Sequence, residues 1–461
     1  MDTYIPTKNE SLNINKVSSS KNIAIVGSGI AGLSAAWILS KTHQVTLYEK
    51  ADKLGGHSNT ININYSRDNS EEVPISVDTG FIVYNNKNYP NLTKFFDTLD
   101  VDSIDSDMSL SISLNNGLYE YSGSGLGGIF GQKKNVINLN QWRLIYDVFR
   151  FKKIATNYIK KSPNNNSVIG DWLKYNNFSS YFINRYIIPI ASAIWSCSNK
   201  NALLFPTKTF LYFFYHHGLL NIKDRPKWKT VKNGSQQYIN NIIQQSNFNY
   251  EINSSIEAIT PKNNSVIIKF NDKEIKYDRV IMACHADQSA KLIKGVDEEI
   301  YKILNYFKFS KNKIVLHSSK QFMPKNKSLW SSWNYTSSLK SNKIIDEKPI
   351  QVTYWMNLLQ NIDKKYPLFV TLNPEEASID KDLIFREIMY EHPILDENAL
   401  KGQSKLENIQ GQYNIWYAGA WTKYGFHEDG INSGLEIAKK LGCTGPWVSD
   451  NKTIKEKIYS A

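Results

Sequence analysis

KNIAIVGSGIAGLSAAWILSKTHQVTLYE, Lys21 to Glu49, places three features in the order that a dinucleotide site requires. Asn22 to Val26 reads as a short, apolar, β-branched strand, and Val45 to Tyr48 as a second one ending at Glu49. Between them Gly27, Gly29 and Gly32 make GxGxxG, and the residues up to about Ser40 carry helix formers with apolar spacings of three and four. Each glycine has its own task. Gly27 permits the tight strand-to-helix turn. Gly29 lets the loop of Ser28, Ile30 and Ala31 bring its backbone against a pyrophosphate at the helix N-terminus, and Gly32 lets helix and strand pack closely. Glu49, followed by Lys50, is placed to accept hydrogen bonds from an adenosine ribose. A glycine-rich turn in an unrelated α/β protein is the competing reading.

KADKLGGHSNT follows directly, with a second glycine pair, Gly55 and Gly56, then His57 and Ser58. A nicotinamide domain would continue here into another helical crossover. This loop instead resembles the extra phosphate-side turn of FAD proteins of the glutathione-reductase-like class, in particular the flavin amine oxidase and phytoene desaturase superfamily. That family usually carries arginines around the pair, where this chain has Lys53 and His57. The resemblance implies FAD, held without a covalent link because no cysteine stands in an attachment context. The implied fold is α/β: a Rossmann FAD-binding domain interleaved with an α+β substrate domain. The FAD domain is expected from 21–72, 226–290 and 408–446, and the substrate domain from 73–225 and 291–407. Residues 1–20 are expected to be a disordered leader and 447–461 a tail.

Further positions follow from the same resemblance. Asp78, Thr79 and Gly80 precede a helix-like run, and Gly80 and Phe81 are candidates for passing the flavin edge; an ordinary strand, loop and helix is the alternative. TVKNGSQQYINNIIQQ matches the family's return into the FAD domain, and Ile256 stands where backbone groups contact the adenine side. DRVIMACHA, Asp278 to Ala286, matches the strand that closes this subdomain. Its Cys284 and His285 are neighbours on that expected strand and would point to opposite faces, which argues against a nucleophile and base pair. Residues 141–220 are helical by pattern and unusually aromatic. They wall a substrate tunnel on one reading and form plain core on the other.

NIWYAGAWTKYGFHEDGINSGLEIAKKLG, Asn414 to Gly442, reads as a buried strand, a glycine turn at Gly419 and a helix starting near Asp429 or Gly430. In the resembled family this is the last flavin segment, so Gly419, Glu428, Asp429, Gly430 and Ile431 are cofactor candidates, with the helix N-terminus aimed at the flavin's pyrimidine end. His427, Glu428 and Asp429 are consecutive and cannot converge on one ion, so no metal site is expected. His427 is the one catalytic candidate, as a titratable group near the flavin. A histidine that only satisfies loop backbone groups is the alternative. Phe426 corresponds to one side of the aromatic cage of amine oxidases.

The composition sets outer bounds. The chain has 461 residues, 41% hydrophobic and 21% charged, enough for two or three domains with a sizeable core. Its net charge of +12 comes from lysines spread along the chain, so no nucleic-acid partner is expected, while peripheral contact with an acidic membrane surface is allowed. Three cysteines, Cys197, Cys284 and Cys443, support neither a disulfide framework nor a CxxC metal site and suit a reducing cytoplasmic compartment. No apolar run approaches the roughly 20 residues needed to span a bilayer.

The wording AWTKYGFHEDG, RPKWKTVKNGS, AIWS and VTYWMNLLQ resembles a bacterial branch of FAD-dependent oxidoreductases associated with modified fatty-acyl lipid synthesis. That resemblance implies hydride transfer from a hydrophobic substrate to flavin, oxidising or desaturating an acyl chain. A flavin amine oxidase using oxygen is one alternative. A non-catalytic lipid-binding protein on the same fold, like the GDP dissociation inhibitors, is another.

Overall fold

Five parallel strands in the order β3-β2-β1-β4-β5 form the sheet that carries the glycine turn: β1 (Asn22–Val26), β2 (Gln44–Tyr48), β3 (Asn249–Glu251), β4 (Arg279–Met282) and β5 (Ile415–Tyr417). The computed structural model describes residues 19–66, 72–161, 167–221, 226–337, 351–374 and 379–447. All but two residues of the expected leader, and all of the expected tail but Trp447, lie outside them. The inner strand β1 is apolar without alternation because both of its faces are covered, and Ile23, Ala24 and Ile25 are fully buried.

Helix α1 (Ile30–Leu39) is buried at all ten positions, with the sheet on one side and the C-terminal helix on the other. Leu139–Lys161 (α2) and Thr207–His216 (α3) belong to a helical layer, and His427–Lys440 (α4) is the C-terminal helix. A Cβ on Gly434 would overlap the Ala31 carbonyl, and one on Gly430 would lie 2.6 Å from Ile30 Cγ2. The two glycines, four apart on one face of α4, are what allow it to cross α1 so closely.

Strands from distant parts of the chain build a second sheet of seven. Its order is Ile384–Ile394, Lys308–His317, Phe369–Leu372, Gln351–Trp355, Trp333–Ser337, Leu110–Leu114 and Tyr119–Ser122. Only the pairing of Trp333–Ser337 with Leu110–Leu114 is parallel. A three-stranded meander, Ile256–Lys262, Ser265–Phe270 and Lys273–Tyr277, turns at Asn263–Asn264 and Asn271–Asp272. All four turn residues have positive φ, the left-handed conformation that two-residue hairpins need and asparagine tolerates. Helices between residues 139 and 216 enclose an aromatic core in which Phe151 packs on Trp172, Phe178, Phe182 and Phe214.

Two expectations about local structure change. Strand β4 ends at Met282, so Cys284 and His285 sit on the loop beyond it, and both face the same cavity. Helix α4 starts at His427, two residues before Asp429. Asp429 occupies its third position and reaches back to the Phe426 N–H at 3.0 Å, a cap made by an acid inside the helix.

Candidate functional site

Between the glycine turn and the seven-stranded sheet lies a cavity of about 840 Å³. Its first wall is the turn itself. Gly27 has φ +107°, and a Cβ there would press within 2.9 Å of the Ala283 carbonyl group. A Cβ on Gly32 would overlap the Gly27 oxygen, whereas one on Gly29 meets nothing within 4 Å. Gly29 therefore leaves free space where the N-terminus of α1 opens onto the cavity. Ser28, Ile30 and Ala31 line the same wall.

Glu49 is held at the end of β2 by Ser28 of the glycine turn and by its own loop. One carboxylate oxygen accepts Ser28 N–H at 2.9 Å and Ser28 O–H at 2.6 Å, and the other accepts Ala51 N–H at 2.9 Å. Lys50 and Ile256 line the cavity close by in the chain fold, where Ser254 N–H donates to the Glu49 carbonyl at 2.8 Å. The second glycine pair docks on the first: Gly55 N–H donates to the Ser28 carbonyl at 3.2 Å, and a Cβ on Gly56 would lie 3.2 Å from Gly29 Cα. Gly56 and His57 line the cavity, whereas Gly55 and Ser58 support it from behind.

Three remote segments meet at the next part of the wall. Phe81 N–H donates to the His57 carbonyl at 2.7 Å, and a Cβ on Gly80 would overlap that same carbonyl. The Phe81 ring stacks on His427 at 3.8 Å between centroids and 12° between planes. His427 Nε2 lies 2.8 Å from Ser58 Oγ and 3.3 Å from the Tyr238 hydroxyl. Burial pulls the His427 imidazole down to about 3, so it is a neutral ring at physiological pH and not a group that titrates there.

The other acidic candidates of YGFHEDG serve the scaffold. Glu428 accepts N–H groups of Asn91 and Leu92, both at 3.0 Å, at the start of the helix Pro90–Thr98, and burial pushes its carboxyl up to about 7. Asp429 is pushed up to about 6 by burial and accepts Tyr424 N–H at 3.2 Å as well as that of Phe426. Neither side chain faces the cavity, nor do Gly430 and Ile431, which pack against the first helix and the core. Gly32 likewise stays inside the turn. Gly419 does line the cavity, with its N–H donating to Ser433 Oγ at 2.8 Å. Among the described residues no three His, Cys, Asp or Glu side chains are grouped to hold a metal ion.

Several wall residues had no motif to announce them. His57 stacks on Tyr390 at 4.8 Å and lies 5.4 Å from His392. Tyr390 and His392 are alternate residues of one strand, so the spacing i, i+2 within YEHP was the only available signal. His285 stacks on Phe309 at 4.1 Å, with Nδ1 3.4 Å from Glu391. Burial lowers the pKa of His57, His285, His217 and His392 as well, the last two to about 4. The Cys284 thiol is pushed up to about 11 by burial and so stays protonated. Of the aromatic helical region, Trp195 and Phe213 reach the cavity, while Phe151, Phe182 and Phe210 are core.

The farther wall is largely apolar, with the hydroxyl-bearing Ser196 and Tyr354 among its lining. Met108, Ile194, Ile314, Trp333 and Leu372 line it, and among the described lining residues there is no arginine. Phe426 lines it too, but its ring is stacked directly on Phe213 at 5.0 Å and 21°, leaving no slot between the two rings.

The residues present fit FAD. The free space at Gly29, the oriented N-terminus of α1 and the braced Glu49 suit an adenine dinucleotide, and the cavity continues past Phe81 and His427 to the apolar wall. Residues 25–99 match the NAD(P)-binding Rossmann-like domain family. An L-amino-acid oxidase of Bungarus fasciatus is 48% identical over 48 residues, 10% of this chain and 9% of that protein. The matched segment thus spans about a tenth of the relative's length. A CLA-producing fatty acid isomerase from P. acnes superposes with a TM-score of 0.64 at 14% identity, over 92% of this chain and 99% of that one. Cyclohexylamine oxidase from Brevibacterium oxydans gives 0.61 at 10% identity, over 92% and 99%. The chain thus carries a Rossmann-like dinucleotide-binding segment at residues 25–99 and shares its overall fold with these two solved enzymes.

Proposed function

We propose that the protein is an FAD-dependent oxidoreductase acting on a hydrophobic substrate, an acyl chain of a lipid. The observation that carries this reading is the farther wall, where Met108, Ile194, Ile314, Trp333 and Leu372 offer apolar surface and no arginine offers a guanidinium to a carboxylate. The P. acnes structural neighbour, a fatty acid isomerase, agrees with that substrate class. When bound, FAD supplies a two-electron acceptor. The chain's part is to hold the cofactor at the N-terminus of α1, to keep water out with Phe81, Trp195 and Phe213, and to present the N-terminus of α4 where negative charge is favoured. The free thiols of Cys197, Cys284 and Cys443 suit the cytoplasm.

An oxygen-using amine oxidase would need a cationic-substrate slot, and the direct stacking of Phe426 on Phe213 disfavours one. The decisive assay is anaerobic. Bound flavin should bleach with an unsaturated phospholipid and not with a panel of amines; bleaching by amines alone would reverse the reading. A purified protein without absorbance near 450 nm would instead favour a non-catalytic lipid carrier.

Because the His427 ring is neutral above about pH 4, its ionisation should not shape the activity between about pH 5 and 9. The pH profiles of the parent and of His427→Gln are expected to keep the same shape there, whatever the change in height. A limb near pH 6.5 that disappears in the variant would make His427 the titrating acid or base.

A further inference from the structure

Helix α2 is apolar on two opposite faces. Leu144, Phe151, Ala155 and Ile159 point inward, and Phe151 packs on Phe214 of α3, whose Phe213 lines the cavity. On the opposite side Leu139, Trp142, Tyr146 and Phe149, at spacings of three and four, are exposed by 84%, 49%, 64% and 54%. The preceding turn adds Ile137 at 85%, tied to the helix by Trp142 Nε1 donating to the Val136 carbonyl at 2.8 Å. Apart from Trp142, whose ring also packs on Phe130 at 5.0 Å, these side chains are mostly turned to solvent.

Charge identifies what covers them. The same face continues along the helix with exposed Lys153 and Lys160, flanked by Arg143 and, before the helix, by Lys133 and Lys134. From Gly123 to Gly170 the sequence contains one acidic residue, Asp147. That carboxylate is buried, paired to Arg150 at 2.8 Å and bonded to Ser179 Oγ at 2.6 Å. The surface is thus an aromatic and aliphatic stripe flanked by basic residues of the helix and of the turn before it. A second copy of the chain would bring the basic rows together and repel.

We propose that the exposed face of α2, with the turn before it, docks this protein on an anionic lipid bilayer. The apolar stripe enters the headgroup boundary while the lysines meet lipid phosphates, as a helix lying in the membrane plane does. No helix of the described residues is long and apolar enough to cross a membrane, so contact of this kind would be peripheral. The docked helix stands one layer of side chains from the cavity wall at Phe213. This surface does not depend on the flavin chemistry, and its test uses no turnover.

Purified protein with its bound cofactor is floated with vesicles of phosphatidylglycerol or of phosphatidylcholine. Binding to the anionic vesicles only, weakening as salt rises, is expected. Trp142→Glu/Phe149→Glu and, separately, Lys153→Glu/Lys160→Glu should each lower the partition coefficient at least about tenfold. Lys153→Glu/Lys160→Glu should keep the parent melting temperature, whereas Trp142→Glu/Phe149→Glu should lower it by a few degrees at most, because Trp142 also bonds the Val136 carbonyl and packs on Phe130. The proposal fails if the parent ignores phosphatidylglycerol, or if both double variants bind like the parent. It fails equally if the parent ignores vesicles and instead forms a dimer that Trp142→Glu/Phe149→Glu disperses, which would assign the stripe to a second copy of the chain.

Discussion

Gly29→Val is expected to yield a folded protein that has lost its flavin. The backbone of Gly29 has φ −63° and ψ 175°, which any residue adopts, and a Cβ there meets nothing within 4 Å. The new side chain is therefore accommodated by the protein and excluded only by what the cavity is built to hold. Flavin occupancy after purification should fall at least about tenfold, equivalent to about 1.4 kcal/mol of binding. The stability of the flavin-free protein should stay within about 0.5 kcal/mol of the flavin-free parent. Gly32→Ala gives the opposite pattern. Its methyl overlaps the Gly27 carbonyl oxygen inside the turn, so the fold itself should lose about 3 kcal/mol or fail to form. Absorbance near 450 nm read beside thermal melting separates the two. Full flavin content in Gly29→Val would mean that the pyrophosphate does not lie against this turn.

The contrast between these two glycines also shows what the sequence could reveal. GSGIAG is local: strand, turn and helix are made by neighbouring residues, so each glycine's separate role could be read from spacing alone. YGFHEDG was readable only in part: Asp429 caps its own helix through a local contact, whereas Glu428 is spent on one that no local pattern encodes. Glu428 caps a helix that begins at Pro90, over three hundred residues away in the chain. The wall made by His57, Tyr390 and His392 was invisible for the same reason: it exists only where the loop after the second glycine pair meets a strand of the seven-stranded sheet. Cys284 and His285 were misplaced by the strand's length, because an apolar run does not mark the residue at which pairing stops. The aromatic stretch from 141 to 220 divides between core and cavity by helix face, and its composition is the same on both.

Asp78→Ala is expected to cost the fold heavily. The fully buried carboxylate of Asp78 accepts Thr60 O–H at 2.6 Å, Ser235 N–H at 2.9 Å, Ser235 O–H at 2.8 Å and the Gln360 amide at 3.1 Å. Those donors come from the strand Thr60–Tyr65, from the KNGS loop and from beside the seven-stranded sheet, so one side chain ties three remote pieces of chain just before Gly80 and Phe81. Asp78→Ala leaves all of these donors buried without an acceptor. It should cost about 3–5 kcal/mol and loosen the flavin edge, so that occupancy falls together with the melting temperature. Asp78→Asn keeps the shape but turns an N–H₂ group toward donors, and should fall in between. The carboxyl also leaves a pH signature. Burial raises its pKa from 3.8 to about 6 while its donors pull it back, so its contribution is fullest below about pH 4 and declines as pH rises through about 6. The stability of the parent relative to Asp78→Asn should therefore decrease across that window, measured by denaturant unfolding at fixed ionic strength. A relative stability that rises with pH would mean that the four donors outweigh burial and hold the carboxylate ionised throughout.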